Sequence, residues 1–367
     1  MYSLWPWVNS FFTMSIQQDS PNPVRTGEEL NVPALETYLN RGRVTDVKQF
    51  PGGYSNLTYL LTIAGKDYVL RRPPVGAKAI KGGHDMGREF RVLSMLQEAD
   101  YAQIPGPVAF CEDESVLGYP FYVMERVAGV ILRAGSAPKL GIAEPTMRHL
   151  SEALVDTLVG LHALPVEPTL IQLGKPDGYV QRQVRGWHKR YLAAQTDDLP
   201  GRGTAAMTDL AHYLTQNLPP QNPDVTLLHN DFKYDNVVFS DDLSQIRAIL
   251  DWEMCTVGDP MMDVGTSLSY WAEADDNPFR KSFNLTWLPG NLTRQEFADR
   301  YAEQSGRSVV NILYYYVFGL FKNAVVIQQI YGRYKQGLTK DERFAGLLAG
   351  VEALSSVGVK AVETGRL

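Results

Sequence analysis

One short stretch of the sequence combines a histidine with acidic and amide residues. Their spacing would suit the transfer of a phosphoryl group to an alcohol. His229, Asp231 and Asn236 fall in the stretch HNDFKYDN, and Asp251 follows the apolar run that ends at residue 250. Such a transfer needs a carboxylate that orients the hydroxyl and accepts its proton, and oxygen ligands that hold Mg²⁺ against the nucleotide phosphates. Asp231 suits the first task, as the predicted catalytic residue. Asn236 and Asp251 suit the second, as the predicted metal ligands.

Short β-strands are predicted on both sides of a turn between these residues, at 237–239 and 246–250. A loop, strand, turn, strand and aspartate in this order would bring Asn236 and Asp251 to the same end of a hairpin. The alternative is a surface turn rich in Asp and Asn, which are common loop residues. The combination of motif and strands favours the metal-binding interpretation.

HNDFKYDN, together with LDWE at 250–253 and GDPMMD at 258–263, resembles the motifs of the aminoglycoside phosphotransferase and choline kinase group of small-molecule kinases. Protein kinases carry H-R-D and D-F-G at these places, so the chain is more similar to the small-molecule branch. The resemblance implies an α+β, two-lobed protein-kinase-like fold, with an antiparallel β-rich N-lobe and a mainly helical C-lobe. It also implies ATP and Mg²⁺ as cofactors.

Several polar residues near these motifs are predicted to support the site rather than to react. Asp259 can cap the helix that Pro260 begins, and Asp263 can reach back to brace the catalytic loop. His229 is expected to be a packed, hydrogen-bonded loop residue, because Asp231 is available as the base. His162 is predicted to be a core histidine at a helix end.

The pattern of apolar residues divides the chain into a β-rich and a helical part. Strands are predicted at 44–50, 57–63 and 68–71 and twice within 107–127 around a turn, with a helix at 31–41 before them and a second helix at 85–98. Helical spacing then dominates, at 146–164, 178–195, 205–217, 262–271, 294–305, 308–337 and 341–360. The predicted domains are a flexible extension at 1–27, a nucleotide-binding N-lobe at 28–127 and a C-lobe with the catalytic loop and substrate site at 128–367.

The strand at 68–71 is expected to present a cation to the nucleotide phosphates. Val69 and Arg71 share one face by alternation, as the corresponding residues of the kinase V-A-I-K motif do, and Arg72 is expected to face solvent. Arg71 replaces the usual lysine, and its planar fork differs from a compact ammonium. Glu89 on the helix at 85–98 is the predicted partner. The alternative for Glu89 is an exposed helix residue paired with a neighbouring arginine.

Two further segments are predicted to hold the nucleotide. The loop FPGGYSNLTY at 50–59 combines glycines, which let the backbone approach phosphates closely, with polar side chains. The backbone near the end of PFYVMERVAGV at 120–130 is expected to bind adenine. A plain hairpin turn and an ordinary buried strand are the respective alternatives. The predicted nucleotide-binding residues are Arg71, Glu89, Gly52, Gly53, Ser55, Asn56, Met124, Glu125 and Val127.

The acceptor site is predicted on the helix with the sequence YVQRQVRGWHKRYL at 179–192. Arg182, Arg185 and Lys189 share one helical face, and Trp187 supplies an apolar contact. This face either binds an anionic substrate or is an ordinary solvated basic face. Aminoglycosides are polycations, so a basic stripe argues against them and suits a phosphate-bearing acceptor such as a coenzyme A thioester.

A second resemblance covers residues 28–360 and is strongest in that helix, in VLRRPPVGA at 69–77 and in FKNAVVIQQIYGRYKQG at 321–337. These segments are similar to the kinase-like domain fused to some acyl-CoA dehydrogenases and to its free-standing bacterial relatives. The resemblance implies phosphorylation of the hydroxyl of hydroxyacyl-CoA thioesters, notably 4-hydroxyacyl chains. It also implies functional coupling to an acyl-CoA dehydrogenase-like enzyme that removes the phosphate as a leaving group.

Composition limits the remaining possibilities. The 367 residues are 44% hydrophobic and 21% charged, which is typical of a globular chain, and the net charge of −6 argues against nucleic acid as a partner. The two cysteines, Cys111 and Cys255, are far apart in sequence, which indicates a reducing, cytoplasmic setting. No stable membrane span is predicted. The apolar residues 1–16 are expected to be a poorly ordered extension, with Met14 a plausible start and an interfacial anchor the alternative.

Two other functions remain open from the sequence. The first is an O-phosphotransferase acting on an aminoglycoside or another antibiotic. The second is a nucleotide-binding pseudokinase that acts as an interaction module, which Arg71 in place of lysine leaves open although Asp231, Asn236 and Asp251 are all present.

Overall fold

Five strands in the N-terminal part of the chain form an antiparallel sheet in the order β1-β2-β3-β5-β4. The computed structural model describes residues 20–51, 56–74, 85–196, 201–337 and 342–367. The strands are β1 (Val44–Gln49), β2 (Leu57–Ile63), β3 (Lys66–Arg72), β4 (Pro107–Cys111) and β5 (Phe121–Glu125). Helix α1 (Val32–Leu39) precedes the sheet, α2 (Met86–Glu98) follows β3, and α3 (Glu114–Leu117) lies between β4 and β5.

Both faces of this sheet are covered, which corrects one expectation. On one face, Tyr59 and Leu70 pack in an apolar cluster with Leu35 of α1. Arg72 was expected to face solvent but is only 3% exposed. Its guanidinium donates to the Tyr59 hydroxyl at 3.1 Å and to the Glu28 carbonyl oxygen at 3.0 Å. The prediction was wrong because the segment that precedes α1 covers this side of β3.

Helix α2 packs against β4 and β5 and carries Glu89. The Asp85 carboxylate caps the helix by accepting from the Arg88 backbone N–H at 2.8 Å. A Cβ atom on Gly87 would lie 2.8 Å from the Phe110 ring, so glycine permits a close approach of the first turn to β4. This packing fixes the distance of Glu89 from the central strands.

The C-terminal part is mainly helical. Its helices are α4 (Glu144–His162), α5 (Tyr179–Ala193), α6 (Gly201–Gln216), α7 (Pro260–Tyr270), α8 (Pro278–Phe283), α9 (Arg294–Ser305), α10 (Ile312–Lys335) and α11 (Leu348–Thr364). Helix α10 lies at the centre and packs against α5, α6, α7 and α11. At its contact with α7, a Cβ on Gly319 would lie 2.6 Å from the Gly265 carbonyl oxygen, so these two helices meet backbone to backbone.

Two short antiparallel strand pairs frame the predicted catalytic loop. Strand β6 (Thr226–Leu228) pairs with β9 (Thr256–Gly258), and β7 (Val237–Phe239) pairs with β8 (Ile246–Ile249). The β7–β8 register continues one step beyond the strands, because the Leu250 N–H donates to the Asn236 carbonyl oxygen at 2.8 Å. The hairpin therefore brings Asn236 next to the residue that precedes Asp251.

The predicted α+β, two-lobed kinase-like architecture is confirmed, and most elements lie where the sequence pattern indicated. Three details differ. The predicted turn at 112–118 contains the short helix α3, and neither the β6–β9 pairing nor helix α8 was predicted. Strand β6 and β9 are each too short to show a periodicity of their own. The domain boundaries at 27 and 127 stay predictions.

One helical stretch of the described residues, Phe344–Thr364, is long and apolar enough to cross a membrane by length and composition. It contains α11, in which Val351 and Leu354 are completely or almost completely buried. Helix α11 packs against α6 and α10, so its apolar side chains contribute to the core of the helical lobe.

Candidate active site

The catalytic loop begins at the C-terminal end of β6 and is held by Asp263 in the first turn of α7. Asp263 is fully buried, and its carboxylate accepts the backbone N–H groups of His229 at 2.6 Å and Asn230 at 2.8 Å. Burial opposes its ionisation, but hydrogen bonds from His162 and His229 hold the pKa of Asp263 below its ordinary value. Asp263 therefore braces the loop as an anion, in the way the sequence indicated.

The neighbouring support residues also take the expected places. The His229 ring Nε2 lies 2.9 Å from the Leu250 carbonyl oxygen, which ties the loop to the end of β8. His162 is buried and contacts the Tyr301 hydroxyl at 2.8 Å. Asp259 caps α7 by accepting from the Met261 N–H at 2.9 Å.

Asp231 lies in the loop with its carboxylate 21% exposed and surrounded by donors. Lys233 Nζ lies 2.9 Å from both carboxylate oxygens, and Asn236 Nδ2 donates to Oδ2 at 2.8 Å. The Tyr270 hydroxyl at the end of α7 donates as well. Although burial opposes the charge, Lys233, Lys322 and Tyr270 together lower the pKa of Asp231. The carboxylate is thus ionised at neutral pH and accessible from one side.

The β7–β8 hairpin places Asn236 beside Leu250, the residue before Asp251, and the two residues stay the predicted metal ligands. Asp251 adopts a left-handed backbone conformation with φ of 66°, and its side chain is 33% exposed. Left-handed backbone is uncommon for a residue other than glycine and points to a local constraint. The Asn236 amide donates through Nδ2, so its Oδ1 is the atom that would bind a metal ion.

The donor set fits Mg²⁺ in the presence of nucleotide phosphates. One carboxylate and one amide oxygen are hard ligands, and Mg²⁺ in kinase sites takes one or two protein oxygens together with phosphate oxygens. Among the residues that the structure describes, no group of three or more His, Cys, Asp or Glu side chains is arranged to hold a metal ion. Asn236 and Asp251 would therefore hold the ion jointly with the nucleotide.

Arg71 lies between two carboxylates. Its guanidinium is 2.5 Å from Glu89 and 3.4 Å from Asp251, and its side chain is 11% exposed. Burial opposes its charge, but Glu89, Tyr122 and Asp251 raise the pKa of Arg71 well above its ordinary value. Glu89 also accepts the Trp252 backbone N–H at 3.3 Å. The predicted pair is formed, and through it α2 contacts the turn that contains Asp251.

The predicted phosphate loop is only partly within the described residues. Gly52, Gly53 and Ser55 lie outside them. Asn56 is buried, and its Nδ2 lies 3.4 Å from Glu253 Oε2. Burial and the neighbouring Asp251 raise the pKa of Glu253 to about 7.

The segment predicted to bind adenine follows directly on the pairing of β5 within the sheet. Met124 is paired with Val69 within the sheet, and the Glu125 N–H donates to the Gly106 carbonyl oxygen at 2.8 Å. The Glu125 side chain is exposed and pairs with Lys66. The Glu125 backbone N–H is thus committed to the sheet edge and not available to adenine. Val127 stays a predicted contact, since no hydrogen bond described for the chain uses its N–H.

Of the predicted acceptor residues on α5, the three cations are exposed and Trp187 is buried. Arg185 and Lys189 are exposed. Arg182 is also exposed, and its guanidinium donates to the carbonyl oxygens of Lys175 and Asp177 at the start of the helix. Arg182 therefore holds the turn that precedes the helix, and its role as a substrate contact stays a prediction.

Trp187 faces inward instead of lining an open surface. It is 5% exposed, and two cations lie near its ring, with the Arg190 guanidinium 4.4 Å and Lys322 Nζ 5.9 Å from the ring centre. Trp187 thus packs near Lys322, while Arg185 and Lys189 match the alternative of a solvated basic face.

Sequence reasoning missed the cations nearest to Asp231. Lys233 stands two residues after Asp231 within the motif itself, and its proximity could have been inferred from that spacing. Lys322 stands in the aromatic and aliphatic run of α10, and a lone lysine in such a run indicates a buried charge with a partner. Tyr270 gave no signal in the sequence, because it reaches Asp231 only through the packing of α7.

A β-rich lobe, a helical lobe and a braced loop that carries Asp231 and Asn236 are the arrangement of the kinase-like class of phosphotransferases. Residues 46–298 match the phosphotransferase enzyme family, APH, and the chain belongs to this family. The resemblance to the aminoglycoside phosphotransferase group is thereby confirmed.

A curated relative is acyl-CoA dehydrogenase family member 11 from Gallus gallus, 32% identical over 352 residues. The alignment covers 92% of this chain and 44% of the relative, so the chain spans less than half of that protein.

Two solved structures illustrate the fold. A Ralstonia eutropha protein, provisionally named an aminoglycoside phosphotransferase, is 28% identical with a TM-score of 0.75, covering 92% of this chain and 99% of that one. An aminoglycoside phosphotransferase in complex with GDP and kanamycin is 15% identical with a TM-score of 0.63, covering 89% and 98% respectively, and at this identity it shows the fold alone.

Proposed function

We propose that the chain is a small-molecule kinase that transfers the γ-phosphoryl group of ATP to an alcohol in the presence of Mg²⁺. The observation that carries this proposal is the hairpin that brings Asn236 and Asp251 together beside the ionised carboxylate of Asp231. A base and two oxygen ligands in this arrangement are what phosphoryl transfer to a hydroxyl requires.

In this proposal, Asp231 orients the acceptor hydroxyl and accepts its proton. Asn236 and Asp251 would hold Mg²⁺, which when bound neutralises charge on the nucleotide phosphates. Arg71 contacts a phosphate from β3, with Glu89 fixing its guanidinium. Lys233, which already neutralises Asp231, adds positive charge where a phosphoryl group would pass.

The acceptor that the observations favour is an anionic alcohol, best represented by a hydroxyacyl-CoA. Lys233 and Lys322 both act on Asp231, and Arg190 lies near the Trp187 ring, as Lys322 does. Positive charge of this kind repels a polycationic aminoglycoside and attracts a phosphate-bearing thioester. The similarity to acyl-CoA dehydrogenase family member 11 supports the same acceptor and functional coupling to a dehydrogenase of that type.

A phosphate-transfer screen tests the proposal. The purified chain is incubated with Mg²⁺ and either ATP or GTP, because a fold relative is known with bound GDP. The acceptors are 4-hydroxyacyl-CoAs, the free hydroxy acids, a choline-like amine and kanamycin. Phosphorylated hydroxyacyl-CoA as the preferred product supports the proposal.

Two other outcomes of the screen would change the assignment. Preferred turnover of kanamycin would instead assign the chain to the antibiotic-modifying enzymes, a function that the names of the fold relatives suggest. Nucleotide binding without transfer to any acceptor, with Asp231, Asn236 and Asp251 intact, would indicate the pseudokinase alternative.

A further inference from the structure

Lys322 is a buried cation in the middle of the central helix α10. It is 5% exposed and stands within the run FGLFKNAVV, where apolar residues surround it in sequence. Transfer of an ammonium group from water to such a site is unfavourable unless partners compensate. A residue chosen for packing alone would be apolar at this position, so the charge indicates another role.

The partner that Lys322 contacts directly is the main chain of the catalytic loop. Its Nζ donates to the Asn230 carbonyl oxygen at 2.7 Å, in a buried hydrogen bond that spans 92 residues of sequence. Asn230 has a left-handed backbone with φ of 63°, and its carbonyl belongs to the peptide that leads into Asp231. Among the side chains that the structure describes, no carboxylate lies within ion-pair distance of Lys322 Nζ.

Charged groups from each neighbouring element act on this ammonium. Asp231 and Lys233 face it from the catalytic loop, Asp263 from α7 and Arg190 from α5. Burial, opposed by the two carboxylates, lowers the pKa of Lys322 to about 8. Lys322 is therefore protonated at neutral pH and is positioned to lose its proton in the mildly alkaline range.

The main chain of Asn230, the residue before Asp231, is held on both sides. The Asn230 N–H donates to Asp263 at 2.8 Å, and the Asn230 carbonyl accepts from Lys322. Asp263 belongs to α7 and Lys322 to α10, which meet backbone to backbone at Gly265 and Gly319. The packed helices α7 and α10 thus determine the position of the backbone that leads into Asp231.

We propose that Lys322 is a positioning residue for phosphoryl transfer, which acts by fixing the Asn230–Asp231 peptide and by holding positive charge beside the base. The proposal rests on the kinase function proposed above. It adds a link between the catalytic loop, at Asn230, and the α5–α10 helix pair, which carries Trp187 and Arg190. Lys322 itself does not need to touch the acceptor.

The test compares Lys322→Met, Lys322→Arg and the control Lys335→Met, which makes the same substitution at the exposed end of α10. Lys322→Met is expected to lower kcat about 10- to 100-fold with little change in the KM for nucleotide, because misplacement of a base affects the transition state. Lys322→Arg keeps the charge and restores part of kcat. Lys335→Met leaves kcat unchanged.

The pH profile separates positioning from a merely structural role. In the wild-type protein kcat is expected to fall as the pH rises through about 8, where Lys322 loses its proton. Because arginine stays protonated, Lys322→Arg moves this fall to higher pH. A Lys322→Met variant with kcat within about twofold of wild type, or with the same alkaline fall, would overturn the proposal.

Hydrogen exchange of the 229–231 amides, measured without substrate, decides the positioning claim independently of turnover. Lys322→Met is expected to increase exchange at these amides relative to Lys335→Met, whereas unchanged exchange contradicts the proposal. If the wild-type protein transfers phosphate to no acceptor, the proposed function fails while this measurement still decides the role of Lys322.

Discussion

Asp263 Oδ2 lies 2.6 Å from the backbone nitrogen of His229, so the first turn of α7 fixes the start of the catalytic loop. The same carboxylate accepts the Asn230 N–H and contacts His162 Nε2 at 3.3 Å, and the side chain is fully buried. Because a buried carboxylate of this kind satisfies several donors at once, its replacement leaves donors without acceptors inside the protein.

Asp263→Asn is expected to destabilise the protein by about 2–4 kcal/mol, because the amide offers one oxygen where the carboxylate offers two. The pKa of Asp263 is lowered in the folded state, so its contribution is present above the ordinary value of 3.8 and is lost as the pH falls through the lower folded value. Urea unfolding at several pH values measures the difference.

The control for this measurement is Asp241→Asn, since Asp241 is 76% exposed and pairs only with Arg247 at 3.3 Å in the contacts described. Its effect is expected within about 0.5 kcal/mol. A loss for Asp263→Asn no larger than that of Asp241→Asn would contradict the bracing role.

Asp231→Asn is expected to lower the rate of phosphoryl transfer by a factor of about 10²–10⁴ while nucleotide binding persists. The amide keeps the shape of the side chain but cannot accept the hydroxyl proton, and Arg71 and Glu89 are untouched. Nucleotide affinity by calorimetry and turnover by product formation separate the two effects. Near-normal turnover in this variant would remove Asp231 as the base.

Arg71→Lys is expected to raise the KM for nucleotide about tenfold although it introduces the residue typical of kinases. The guanidinium of Arg71 reaches Glu89, Asp251 and the Tyr122 hydroxyl at once, and a single ammonium cannot replace this fork. Steady-state kinetics with varied nucleotide measures the change. Arg148→Lys, a surface site paired with Glu152 and Glu296, is the control and is expected to have no effect. An unchanged or lower KM in Arg71→Lys would show that the fork is not needed.

The parts of the site that the sequence predicted are those held together by short-range geometry. Asp231 and Asn236 share one loop, and a hairpin of adjacent strands brings Asp251 to them. Asp263 was predicted as a brace because it stands in the first turn of a helix that Asp259 caps. Local spacing and one hairpin register suffice for all of these residues.

The parts that were missed or wrong depend on tertiary packing. Alternation along β3 was taken to leave Arg72 in solvent, but the segment before α1 covers that side. Helical periodicity placed Arg182 on a basic face, but it could not predict that loop carbonyl oxygens would accept its donors. Lys322 reaches the catalytic loop only because α10 packs against α7, and no local pattern contains that contact.

Lys322→Met is expected to stabilise the protein at pH 7, in contrast to its effect on kcat. The pKa of Lys322 is lowered from 10.5 to about 8 by burial, so the folded state disfavours the charged form that both states carry at pH 7. A pKa shift of this size corresponds to a cost of up to about 3 kcal/mol in the stability of the wild-type protein, which the variant avoids. Loss of the hydrogen bond to Asn230 offsets about 1 kcal/mol of that gain.

The free energy of unfolding should depend on pH in a direction set by the lowered pKa of Lys322. Between about pH 8 and 10.5 the unfolded chain binds more protons at this lysine than the folded protein does, so wild-type stability rises with pH in that window. The advantage of Lys322→Met should therefore be greatest near pH 7 and shrink above pH 8. Urea unfolding of the variant, the wild type and Lys335→Met across this range measures it. A variant that is both less active and less stable at pH 7 would identify Lys322 as a packing residue, whereas a less active and more stable variant identifies a charge retained for function.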